Sequence, residues 1–421
     1  MSEPLVLDYD LYSLPTAQHR AGLAGFLVHL RGMERRGLGP LPEVVHAEPG
    51  EVRVRLTPEA LQATLNHLYE ATAEEIQAKA LRKKGRKGEE KQVVEPLRTE
   101  TRSETDAKGR TKERTVYIYP QVVPGAPFLA ALDVPDIWLK LWREAVWSTL
   151  RGIPKTRIPF EQRAEGAAVG EAHALWTELG RWRRAREHGR VATAEVASSL
   201  FIGAQSANAE RVPFRGSPDL NLLLHFWPVV MGVAEARRLQ FKDGQETEEG
   251  DGFVLAVPDV SDIEWFVEDF ERAAGQLDPR PHGYRPAAGV VALPQESALE
   301  YLHYLWALAS ARGIAGQVKF SVSGVEAYHL RRDGNSVHLL GVGRVVASPK
   351  LAQGYERIRE MARSPLFRRR TILNLLHDEP WYAGFERDFS HHDWRMFLRG
   401  QFAGDARRRL AAQSGGRESD D

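Results

Sequence analysis

The 421-residue sequence contains no cysteine, which excludes disulfides, thiolate zinc sites and cysteine nucleophiles and fits a reducing compartment. Net charge is absent too: 57 Lys and Arg balance 57 Asp and Glu. No overall basic field announces a nucleic-acid partner, although a balanced total can hide a local patch. No window approaches the roughly 18 uninterrupted apolar residues of a membrane span, and the start, "MSEPLVLDYDLYSLP", lacks the cationic and apolar regions of a secretion signal. These absences predict a soluble, cytoplasmic protein with no membrane partner. Catalytic signatures are scarce as well. There is no Gly-Lys-Ser/Thr phosphate loop, no Gly-x-Ser-x-Gly elbow, no paired His at metalloprotease spacing and no dinucleotide glycine fingerprint. The sequence therefore predicts neither enzyme activity nor a bound cofactor or metal.

What is present can bury a large core, since 43% of residues are hydrophobic, and the length predicts two or three domains. The pattern reads as α+β. Residues 1–190 are expected to form a mixed N-terminal domain, 191–290 a central segment, 291–413 a hairpin with helices, and 414–421 a disordered tail. Thr16 can cap a helix through Met33 whose Leu23, Phe26, Leu27 and Leu30 share a face, with Gly22 and Gly25 offering a surface for close packing. Val52, Val54 and Leu56 alternate as a strand before Thr57 and Pro58 open a helix. "DIWLKLWREAVWSTLRG" reads as a helix with a wide apolar face, its tryptophans being core rather than a base-stacking platform. The run 220–233 reads as one buried helix bent near Pro228, "FKDGQETEEGDG" as a polar loop, and "FVLAVPDVSDIEWFVEDFERAA", with Asp259 and Ser261, as a strand running into a helix. A helix over 294–312, a hairpin turning at Asp333, Gly334 and Asn335, and helices over 350–363 and 365–377 complete the order.

Charge is distributed unevenly. From about residue 78 to 115 the chain has few apolar residues, so it cannot supply a core and reads as a flexible basic insertion between two paired strands. Lys79, Arg82, Lys83, Lys84, Arg86 and Lys87 cluster around two glycines, a composition suited either to holding a phosphate backbone or to a solvated hairpin tip. Arg181, Arg183, Arg184, Arg186 and Arg190 surround Trp182 on a helix, again either a nucleic-acid surface or a solvated face. In "SLFIGAQSANAERVPF", Gln205, Ser206, Asn208 and Arg211 on a strand, with Arg215 in the turn after it, either donate to base edges and phosphates or satisfy neighbouring backbone groups. His377-Asp378 and His392-Asp393 pair imidazole with carboxylate as a divalent ion requires, but further ligands such as His303 and Asp333 sit in segments not arranged to join them.

The blocks "LPTAQHRAGLAGF", "FIGAQSANAERVPFRGSPDLNLLLHFWPVV", "VLAVPDVSD" and "SPLFRRRTILNLLHDEPWYAGF" resemble the large subunit of type I CRISPR Cascade effector complexes, specifically the MYXAN-type variant. That resemblance implies a non-catalytic subunit that senses the flanking (PAM) motif on duplex DNA and helps R-loop formation, while base pairing by the guide reads the target. The implied partners are the CRISPR guide RNA, target duplex DNA, the backbone, small and guide-handle-binding subunits, and a helicase-nuclease that cuts. It implies contacts from Gln205, Asn208 and Arg211 to the duplex or the guide's 5′ end, a phosphate clamp at Lys79–Lys87, and a second clamp at Arg368, Arg369 and Arg370. Two other functions remain open at this stage: a metal-dependent HD-type phosphohydrolase or nuclease, and a general RNA-binding scaffold.

Overall fold

A computed structural model describes residues 3–78, 95–105, 111–132, 134, 136–152, 154–197, 199–203, 214–242, 245–274, 290–312, 319–334, 336–391, 394, 397 and 401–415. The chain is an α+β protein. β1 (Leu5–Asp10) turns Leu5, Leu7 and Tyr9 inward and pairs antiparallel with β3 (Glu51–Leu56), which also pairs with β2 (Glu43–Ala47). Between them runs α1 (Ala17–Arg35), capped as expected by Thr16, which accepts the His19 N–H. A Cβ on Gly22 would collide with the carbonyl oxygen of Leu223, and one on Gly25 with that of Phe226. The two glycines thus serve backbone packing, which only a residue lacking a side chain permits. α2 (Pro58–Leu68) starts at Thr57, whose hydroxyl accepts the Ala60 N–H at 3.1 Å.

β4 (Ala71–Ala78), β5 (Arg98–Thr105) and β6 (Thr111–Pro124) form a second sheet in the order β4-β6-β5. Pairing of β4 with β6 matches the strands expected to flank the insertion. Its second half corrects the expectation, because residues 98–105 pair along β6. A ladder needs backbone partners rather than an apolar core, and Arg98 adds a two-point bond to Glu75 at 2.6 and 2.7 Å. α3 (Pro127–Ala130), α4 (Asp136–Glu144), a π-helical turn (Ala145–Leu150), α5 (Pro154–Ala164) and α6 (Glu171–Glu187) follow. Trp142 is buried and donates its Nε1–H to Pro228 O at 2.7 Å, while Trp138 and Trp147 pack half-buried on the core.

β7 (Ala194–Glu195) and β8 (Arg215–Gly216) make a short ribbon. The expected helix over 220–233 is instead α7 (Pro218–Leu223), a 3-10 turn (Trp227–Val229) and the start of β9 (Gly232–Lys242). An unbroken apolar run has no period to set its backbone, and Pro228 lacks the N–H that a continuing helix would use. The described part of the polar stretch expected as a loop is strand: β10 (Gln245–Val260) pairs back along β9, with Gln245 opposite Lys242. α8 (Ile263–Ala274), β11 (Val290–Val291), α9 (Pro294–Arg312), β12 (Val322–Asp333) and β13 (Ser336–Val346) complete a five-stranded sheet ordered β11-β9-β10-β12-β13, parallel only at β11. It draws strands from both sides of residue 290. α1 packs on one face and α9 on the other. α10 (Pro349–Met361), α11 (Pro365–Leu376), α12 (Phe385–His391) and α13 (Gln401–Gly415) close the fold. One cluster of buried apolar side chains runs from Leu5 to Phe402. No helix among the described residues is long and apolar enough to cross a membrane.

Candidate nucleic-acid interface

Gln205, Asn208 and Arg211 lie outside the described residues, as do Lys79, Arg82, Lys83, Lys84, Arg86 and Lys87. The structure describes how the chain enters and leaves the segment 204–213. At the entry, Arg151 Nη1 donates to Ser199 Oγ (3.0 Å) and Trp227 Nε1 to Leu200 O (2.7 Å). The Gln18 side chain then grips Ile202 at both polar atoms, accepting its N–H at 3.0 Å and donating to its carbonyl at 3.2 Å. At the exit, Phe214 O accepts the Val196 N–H (2.9 Å), β8 pairs with β7, and the Asn221 amide spans the carbonyls of Ala194 and Gly216 at 3.4 Å each. The Phe201 and Phe214 rings meet across the gap with centroids 4.9 Å apart.

This frame is wired to the large sheet. Gln18 Nε2 also donates to Tyr328 OH on β12 at 3.2 Å. Two residues along α1, Arg20 pairs with Asp259 on β10 at 2.5 Å, and Asp259 takes Arg344 from β13 at 2.7 Å and the Ser323 hydroxyl at 2.8 Å. Burial alone would raise the Asp259 pKa, but the bonds from Arg20 and Ser323 and the charges of Arg20 and Arg344 hold it below the usual carboxylate range. His19, whose ring meets Phe201 edge-on at 5.5 Å, is drawn down to about 4 by burial and by neighbouring Arg20, so it stays neutral near pH 7. The described residues on either side of 204–213 are therefore tied to one core.

Arg215 stands at the exit post. It is exposed, and its guanidinium donates to Thr193 O (2.7 Å) and Thr193 Oγ1 (3.1 Å), which fixes its direction. Residues 41–313 of the chain match the type I-B CRISPR Cas8b N-terminal domain, and residues 322–420 match the type I-B CRISPR Cas8b C-terminal domain. The chain belongs to the Cas8b family. No curated protein matches it. Membership makes it the large subunit of a type I-B CRISPR effector complex. The Cas8b N-terminal match takes in both posts and Arg215, while Gln18 lies before it.

The Cas8b C-terminal match holds Arg368, Arg369 and Arg370, expected together as a clamp. The structure separates them. Arg368 is wholly buried, donating Nε to the equally buried Glu296 and Nη2 to Tyr355 OH at 3.1 Å, so it is unavailable to an external phosphate. Arg370 is half-buried and forked onto Asp388 at 2.5 and 2.8 Å. Arg369 alone of the three is exposed. Among the described residues no group of three or more His, Asp or Glu side chains stands close enough to hold a metal. Asp378 instead takes the Lys350 ammonium, His377 caps α11, and His392 and Asp393 lie outside the described residues. Sequence reasoning missed Gln18 and Thr193. A polar residue on the apolar side of α1 was the available signal for Gln18, because a buried amide needs partners.

Proposed function

We propose that this chain is the non-catalytic large subunit that senses the flanking motif on duplex DNA, helps the guide RNA open it, and receives the helicase-nuclease, within the MYXAN-type variant its sequence blocks resemble. The observation that carries this reading is the frame around residues 204–213. Discrimination among base pairs needs donors held in register, since each good bidentate pair is worth about 1 to 3 kcal/mol only when placed. Two posts tied to one core, with Arg215 aimed by Thr193 beside them, support that use of Gln205, Asn208 and Arg211. Lys79–Lys87 and exposed Arg369 act as phosphate contacts that position without reading sequence. The test is Asn208→Ala in the guide-loaded complex, bound to duplexes that differ only in the flanking motif. Discrimination should narrow by roughly 1 to 3 kcal/mol. An equal loss on every motif would make Asn208 a positioning contact and sink the reading for that residue.

A further inference from the structure

The arginines of α6 play no part in that reading. Leu175, Leu179 and half-buried Trp182 hold the helix to the core and Arg183 pairs with Glu3 at 3.3 Å, while Arg181, Arg184, Arg186 and Arg190 are exposed. At 3.6 residues per turn, Arg184 and Arg186 stand roughly 200° apart, on opposite flanks of the helix, with Arg181 on the Arg184 side. One acid, Glu187, falls between positions 181 and 190, and it faces Arg183 at 3.7 Å. Arg181, Arg184, Arg186 and Arg190 have no ion pair among the described residues. Arg186 lies over the Trp182 ring, 5.5 Å from its centroid, which holds that cation in place. The helix end is fixed as well. Gly189, at φ +65°, lets the Arg190 N–H reach Ala185 O (2.7 Å) while its own N–H reaches Arg186 O (3.0 Å), a Schellman closure.

Three residues past Arg190, Thr193 grips Arg215. The charges of Arg181 and Arg215 both act on the Glu178 carboxyl. A helix dipole rewards a cation or two in the last turn, but arginines three apart repel each other. Glu178, Glu187 and Glu3 answer part of this charge, and the exposed arginines exceed them, a surplus that a polyanion would offset.

We propose that the exposed arginines at the C-terminal end of α6 grip the phosphate backbone of duplex DNA, as a sequence-independent companion to the framed segment. The inference rests on the duplex-sensing reading above and extends it to residues that reading leaves unused. The test uses the full chain in the guide-loaded complex, comparing wild type, R181A/R184A/R186A and R181K/R184K/R186K. Binding to duplexes with favoured and disfavoured flanking motifs is followed as salt is raised. The alanine variant should bind both duplexes more weakly by the same factor, tenfold or more, with a salt slope lower by about 0.9 per lost contact, while the lysine variant keeps most of the slope. An unchanged slope with motif preference intact overturns the inference and leaves the duplex-sensing reading standing. Loss of complex assembly, or of guide-RNA retention, with an unchanged slope on duplex also overturns it by assigning the surface to a protein or to RNA. Absence of motif preference in the wild-type complex counts against the duplex-sensing reading alone, because the slopes still decide the role of α6.

Discussion

α6 and α11 carry similar arginine runs, "RWRRAR" at 181–186 and "FRRR" at 367–370, and the fold uses them in opposite ways. α6 rests on the core through Leu175, Leu179 and Trp182, and its Arg181, Arg184 and Arg186 face water. α11 is packed between α10 and α13, so the same residue type becomes internal wiring: Arg368 closes a buried network with Glu296, Tyr355 and Glu300. The difference lies in what surrounds the helix. Glu296 and Glu300 project from α9, more than sixty positions away in sequence from Arg368, and turn an otherwise prohibitive buried charge into a satisfied one. A count of arginines says nothing about which of these fates applies.

The comparison breaks most sharply at Arg368. Arg368→Met should cost about 3 to 5 kcal/mol, because it leaves Glu296 buried without its counter-charge, and E296Q/R368M should recover part of that loss. Urea denaturation of the purified chain checks both; a single variant as stable as wild type would show that the network is not stabilising. Next comes Arg370→Ala, which loses a half-buried fork to Asp388 and should cost about 1 to 2 kcal/mol by the same measurement. Smallest is Arg369→Ala, expected within about 0.5 kcal/mol of wild type, yet able to lower the salt slope of duplex binding by about 0.9 if that side chain meets a phosphate. A stability loss at Arg369 comparable with that at Arg368 would erase the distinction drawn between surface and interior.

Local chemistry made much of the fold legible. Thr16, Thr57 with Pro58, and the Asp333-Gly334 turn are short-range signals, and each marks an observed boundary. Gly22 and Gly25 foretold close backbone approach because the chain around them lacked the rest of a phosphate loop. What failed was long-range. The run 220–233 is apolar on every side, so no period distinguished helix from turn and strand. Residues 98–105 are polar, yet they pair because β6 offers a free edge that sequence does not display. Within the candidate interface, Gln205, Asn208 and Arg211 lie outside the described residues, and Arg215 was legible as a donor. Gln18, about 190 residues upstream of them, was not, because its role depends on which loop the fold brings to its amide.

The glycine face of α1 also bears on where the protein can be cut. The helix precedes the start of the Cas8b N-terminal match at residue 41, yet its backbone rests on the carbonyls of Leu223 and Phe226 and its Gln18 bolts Ile202 in place. A recombinant fragment begun at that match would discard the keystone beneath the middle of the molecule, exposing a trench of Leu, Phe and Trp side chains to solvent and loosening the entry post along with it.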